Sequence, residues 1–127
     1  SRQALTGRPV SPHVTIYAFP IGALTSISIR ITGMALSVGA LGLGGIELAG
    51  GDGAALAVME TIGSMGMITA TTAKLAVAFP TVYHYLGACR HMMWDMFPET
   101  VNNATTDQSS KIMIGASIVL TSGLLML

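Results

Sequence analysis

Charge is what these 127 residues have least of: six Lys and Arg, six Asp and Glu, together 9% of the chain. A soluble domain carries about 25%. The deficit excludes an ordinary water-exposed surface, and the regular charged faces that a soluble helical bundle requires are missing as well. Net charge is zero, so nucleic-acid binding has no electrostatic footprint here. The single cysteine, Cys89, excludes an internal disulfide framework and, amid apolar neighbours, reads as a packed, inert thiol. No internal repeat is visible. Ser1 to Thr6 hold no apolar signal core, and any targeting segment is expected to be already removed.

What fills the chain instead is apolar, 51% of all residues. Charge-free runs cover 9–29, 31–46, 61–73, 75–89 and 112–127. A helix needs about 20 mostly apolar residues to cross the hydrocarbon core. Joining the runs across single charges predicts three transmembrane helices, at about 22–48, 63–91 and 111–127. The expected fold is therefore an all-α membrane protein with one domain, 1–127. Residues 1–20, broken by Pro9, Pro12 and Pro20, read as an irregular surface segment. Thr25 or Ser26 is a candidate cap for the first helix, although Pro20 favours an earlier start. The polar stretch 95–111 is expected to be a solvent loop. Arg2 and Arg8 precede the first helix while the loop after it carries Asp52 and Glu60, which predicts an N-terminus on the cytoplasmic or matrix side. Two crossings then return Arg90 to that same face.

Within the first helix, "SISIRITG" (26–33) isolates Arg30, the only charged residue between Pro9 and Ile46. Ser26 lies four residues earlier on the same face, so a hydroxyl and a guanidinium stand together near the bilayer edge. That pair suits a polar-headed lipophilic ligand such as a quinone; snorkelling to lipid phosphates or pairing with an acid of another subunit is the plainer use. Gly33, Ser37, Ala40 and Gly44 continue the face as a ridge of small residues that another helix could approach closely.

The second helix carries Lys74 and ends in "YHYLGACRHMMWD" (83–95). His84 and His91 are seven residues apart, about 10 Å in depth on one stripe. This spacing is wrong for two ligands of one metal and right for one deep ligand with a partner nearer the surface. A haem fits: His84 binds iron through an imidazole nitrogen while Arg30, Arg90 or His91 meets the propionates, and a second ligand comes from another subunit. A histidine merely hydrogen-bonded between helices fits equally. Lys74 pairs with a partner's acid, lines a polar cleft or snorkels. Met65, Met67, Met92, Met93 and Met96 could handle copper through thioethers, though methionine in such helices is more often filler. Trp94, Tyr83 and Tyr85 read as an interfacial aromatic belt.

Three stretches in order, "RPVSPHVTIY" (8–17), "SISIRITG" (26–33) and "YHYLGACRHMMWD" (83–95), resemble the large cytochrome b subunit of succinate dehydrogenase, respiratory complex II. The likeness covers nearly the whole chain. It implies half of a heterodimeric membrane anchor that shares haem b with a small cytochrome b anchor subunit and forms the quinone site against an iron-sulfur subunit, with a flavoprotein subunit beyond. Position by position, it places Ser26, Arg30, Ile27 and Phe19 at the quinone, which is ubiquinone or rhodoquinone. It makes His84 the axial haem ligand and sets His91, with Arg30, near the propionates. The small subunit supplies the second histidine. The implied location is the mitochondrial inner membrane, multi-pass, with the N-terminus in the matrix and membrane lipid around it. The implied role is as a subunit of an enzyme, with no catalytic chemistry in this chain alone. Two departures stand out. Ile29 occupies the position before the arginine where the family usually has histidine, and Ala88, preceded by Gly87, stands where it often has glycine. The same scaffold can run as quinol:fumarate reductase. A rival from another class is a non-redox membrane metal-transport or scaffold protein.

Overall fold

The computed structural model describes residues 18–126, together with Gly7 and Ile16. Most of the "RPVSPHVTIY" segment, and the arginines Arg2 and Arg8 used for orientation, lie outside the described residues. Among the described residues four α-helices follow one another: α1 (Ile21–Gly50), α2 (Ala54–Ser64), α3 (Met67–Met96) and α4 (Asn103–Leu125). No strand occurs among the described residues.

The helix boundaries follow from local chemistry. Pro20 adopts extended geometry at φ −66°, ψ 151° and stands as the N-cap, so α1 starts directly after it. Neither Thr25 nor Ser26 is the cap: Thr25 is buried inside the helix and donates to the Gly22 carbonyl at 3.0 Å. Gly51 and Gly53 end α1 and start α2 with φ of 83° and 86°, a left-handed geometry that side chains with a Cβ resist. Between them the Glu47 carboxylate reaches over the turn and accepts the Gly53 and Ala55 N–H groups at 2.7 and 2.8 Å, capping α2 with a side chain from α1. Sequence reading missed α2 entirely and merged its residues into a loop and the start of the next helix.

Residues 95–111 are mostly helical and not a solvent loop. Helix α3 continues to Met96, a short 3₁₀ turn covers Pro98–Thr100, and α4 begins at Asn103. Asn102 and Thr105 form a reciprocal capping box, with the Asn102 side chain accepting the Thr105 N–H at 3.0 Å. The polar residues after it are the first turns of a helix, so the solvent loop shrinks to a few residues.

Helix α3 packs most extensively on α4, and α1 lies across α3. The seam on α4 is Ser110, Met113, Ser117 and Thr121, spaced three to four residues apart and buried throughout. Small side chains let the helices approach closely. Ile29 of α1 fits against Gly87 of α3, where a Cβ would stand 2.7 Å from its Cδ1. Tyr83 is 4% exposed and stacks on Phe79 at 5.6 Å, so it belongs to the core and leaves the predicted aromatic belt.

A polar chain ties the three long helices together. Arg90, 8% exposed, donates from Nη1 to Ser110 Oγ at 2.9 Å, and Ser110 meets Thr25 Oγ1 at 2.9 Å. Because the single Thr25 proton goes to the Gly22 carbonyl, the Ser110 hydroxyl must donate to Thr25. All donors thus point one way, from α3 through α4 to α1, an arrangement that strengthens each bond.

Candidate functional site

The candidate residues gather where the N-terminal half of α1 crosses the C-terminal half of α3. Ile29 faces α3, buried, and the His84 imidazole of α3 answers it: Nδ1 lies 3.0 Å from the Ile29 carbonyl oxygen. A carbonyl only accepts, so this nitrogen carries the proton, and in the neutral form of the imidazole the lone pair then lies on Nε2. The ring rests over Gly33, one turn on, where any Cβ would stand 2.6 Å from His84 Cε1. Thr32 adds its hydroxyl to the same Ile29 oxygen at 2.8 Å. One turn before His84, Pro80 stands inside α3 and withholds the N–H that would bind the Ala76 carbonyl.

Arg30 stands about 100° round the helix from Ile29 and is exposed. Ser26, one turn earlier, is half-buried; Ile27 and Phe19 are each 42% exposed. Ser26, Ile27 and Arg30 thus lie on the side of α1 next to the stripe that meets His84, and Phe19 stands exposed just before the helix. Among the described residues no hydrogen bond joins any two of them. His91 is also exposed, edge-on to Trp94 at 5.6 Å, two turns from His84. Arg90 behaves differently from its neighbour. It turns inward to Ser110 and lies 4.7 Å over the Trp94 ring, with its Nε buried and without a hydrogen-bond partner among the described residues.

Comparison with known proteins assigns the scaffold. Residues 5–124 match the family described as succinate dehydrogenase/fumarate reductase transmembrane subunit. The chain belongs to this family. It is 33% identical over 91% of its length to the mitochondrial succinate dehydrogenase cytochrome b560 subunit of Dictyostelium discoideum, covering 59% of that protein. It is 38% identical over 72% of its length to the Homo sapiens counterpart, covering 54%. The succinate dehydrogenase cytochrome b556 subunit of Paracoccus denitrificans is 33% identical over 89% of this chain and 85% of its own length. The chain therefore spans little more than half the length of the mitochondrial relatives. The resemblance to the large cytochrome b anchor subunit, read from three motifs, stands.

For this family member, sequence reading missed the backbone oxygen of Ile29 and the roles of Thr32, Thr25 and Ser110. Of the small-residue ridge, Ser37, Ala40 and Gly44 are exposed, while Gly33 packs against the His84 ring of α3. Nothing in a one-dimensional pattern pairs Gly33 with His84, 51 positions away. Lys74 is exposed and lines an apolar groove of about 750 Å³ with Leu43, Met59, Ile62, Val77 and Leu124, at the other end of the bundle. By length and composition one helix among the described residues, α1, is long and apolar enough to cross a membrane. The charges in α3 and the polar start of α4 separate them from it.

Proposed function

We propose that the chain is the membrane-anchor cytochrome b subunit of a succinate:quinone oxidoreductase, sharing one haem b with a small anchor subunit and forming the quinone-reduction site beside an iron-sulfur subunit. The flavoprotein subunit, where succinate is oxidised, lies beyond that. In this reading α1, α3 and α4 are the three spans of an inner-membrane protein with its N-terminus in the matrix.

The observation that carries the reading is the state of His84. Its Nδ1–H is engaged by the Ile29 carbonyl at 3.0 Å, which leaves Nε2 as a free donor atom, and Gly33 leaves room for the ring beside α1. Metal-binding histidines characteristically give their second nitrogen to such a carbonyl. The donor set fits a haem iron. Haem b, when bound, takes up and returns single electrons, with its propionates held by His91 and Arg30 at the membrane surface.

The outer side of α1 serves the quinone. The Ser26 hydroxyl and the Arg30 guanidinium donate hydrogen bonds to the quinone carbonyl oxygens and stabilise negative charge there as electrons arrive from the iron-sulfur subunit. Ile27 and Phe19 supply apolar wall. With Ile29 turned inward against Gly87, the histidine contacts usual in the family are absent, and Arg30 carries the positive charge on this side.

Reduced-minus-oxidised visible spectra of the purified complex test the reading. The native complex is expected to show a b-type α-band that His84→Ala loses, and an absent native band refutes haem binding. Arg30→Ala is expected to abolish ubiquinone reduction while succinate still reduces a soluble dye. Retained quinone activity removes the site from Arg30.

A further inference from the structure

The end of the "SISIRITG" motif has no part in the quinone reading, and its geometry points elsewhere. Thr32 and Gly33 both converge on the place where the His84 imidazole meets α1. We propose that the Thr32–Gly33 step of α1 is the seat of that imidazole: Gly33 makes room for the ring and Thr32 tunes the Ile29 carbonyl that fixes its tautomer. The inference rests on His84 being the haem ligand and makes Thr32 and Gly33 positioning residues for the haem.

The Ile29 carbonyl has two lone pairs, yet three donors aim at it: the Gly33 N–H along the helix, the Thr32 hydroxyl at 2.8 Å and His84 Nδ1–H at 3.0 Å. The hydroxyl therefore competes with the imidazole. With Thr32 in place, the bond to Nδ1–H is held weaker than the carbonyl could otherwise make it, and the ring is a less electron-rich ligand. Removing the hydroxyl strengthens the pull on Nδ1–H, increases the basicity of Nε2 and favours the oxidised iron. Sterics act separately. A Cβ at position 33 would stand 2.6 Å from Cε1 and 3.1 Å from Nδ1 of His84, so even alanine forces the ring or the helix beside it to shift.

The test uses the assembled complex carrying native chain, Thr32→Val or Gly33→Ala. The haem band is titrated against potential, and the ferric signal is recorded by electron paramagnetic resonance. Thr32→Val keeps the shape of the side chain and is expected to retain full haem content while titrating at lower potential than native. Gly33→Ala is expected to alter the ferric signal or reduce haem content. Native potential and native ferric signal in both variants overturn the proposal; if Gly33→Ala does not assemble, Thr32→Val decides alone. Nitrogen-15 resonance of labelled histidine in complex prepared without haem separates this inference from the reading beneath it. A native complex that never binds haem defeats the reading, and the tautomer then decides the seat: a proton on Nδ1 of His84 upholds it, and a proton on Nε2 overturns it.

Discussion

The two ends of the bundle are built differently. At one end the start of α1 and the close of α3 bury Thr25, Ile29, Tyr83, Gly87 and Arg90. Toward the other, α4 still buries Ser117 and Thr121, but nothing in α1 after Ile29, in α3 before Tyr83 or in any part of α2 is buried, and Leu41, Leu48, Met67 and Ile68 are 76 to 90% exposed. The closed end holds the His84 seat. Its polar chain and its glycine-to-side-chain fits define one arrangement of helices, which a ligand atom needs if it is to be held to within a fraction of an ångström. The open end is apolar on the outside and is shaped at its turn by the Glu47 side-chain cap and the left-handed glycines. Surfaces of that kind are at rest in lipid or against another apolar chain.

The comparison breaks most sharply at Ser110, which is fully buried and joins Arg90 to Thr25. Ser110→Leu overfills the seam and removes both bonds, so a loss of about 3 kcal/mol is expected. Thermal unfolding in detergent measures it. An unchanged midpoint would mean that the closed end is no tighter than the open one. Next in size is Gly87→Ala, whose Cβ meets Ile29 Cδ1 at 2.7 Å, with an expected cost of about 2 kcal/mol. Ile29→Val removes that terminal methyl, so the double variant should cost less than the sum of the two singles, by about 1 kcal/mol.

Much of the closed end was legible in the sequence as residue types and hardly at all as contacts. His84, Arg30 and Ser26 stood out because each is polar in an apolar run, and the helical period placed Ser26 with Arg30. The partners were invisible: Ile29 acts on His84 through its backbone oxygen, which every residue has, and Ser110 and Thr25 look like ordinary small helix residues until the fold brings them together. Residues 95–111 failed for another reason. Their polarity reads as loop, but Asn102 begins a helix whose polar first turns precede its apolar body, and the capping box it makes with Thr105 was there to be read. The α2 segment, Ala54–Ser64, was missed because its start is capped by Glu47 from the preceding helix, outside the local window.

Two caps of similar strength sharpen the contrast further. Asn102→Ala and Glu47→Ala should each cost about 1 kcal/mol locally. Their consequences should differ. Asn102 begins α4, the helix that carries the buried seam, so its loss lowers the global unfolding midpoint. Glu47 holds only the turn into α2, which has half-buried but no fully buried residues, so its loss should expose residues 51–66 to protease while leaving the midpoint unchanged. A midpoint that falls for Glu47→Ala shows that α2 is coupled to the core.

The smallest effect belongs to Leu41, which is 76% exposed on the open half of α1. In the isolated chain Leu41→Ala removes a side chain that touches little, and the change in stability should stay within about 0.5 kcal/mol. The same substitution in the assembled complex asks a different question. If lipid alone covers this face, the solvent around Leu41 is equally apolar in both preparations and the change stays as small as before. If the neighbouring anchor subunit packs there, deleting the side chain leaves a cavity at a protein interface, and the cost rises to about 2 kcal/mol or more. The difference between the two measurements therefore reads whether the open end of the bundle is finished by a protein or by the membrane.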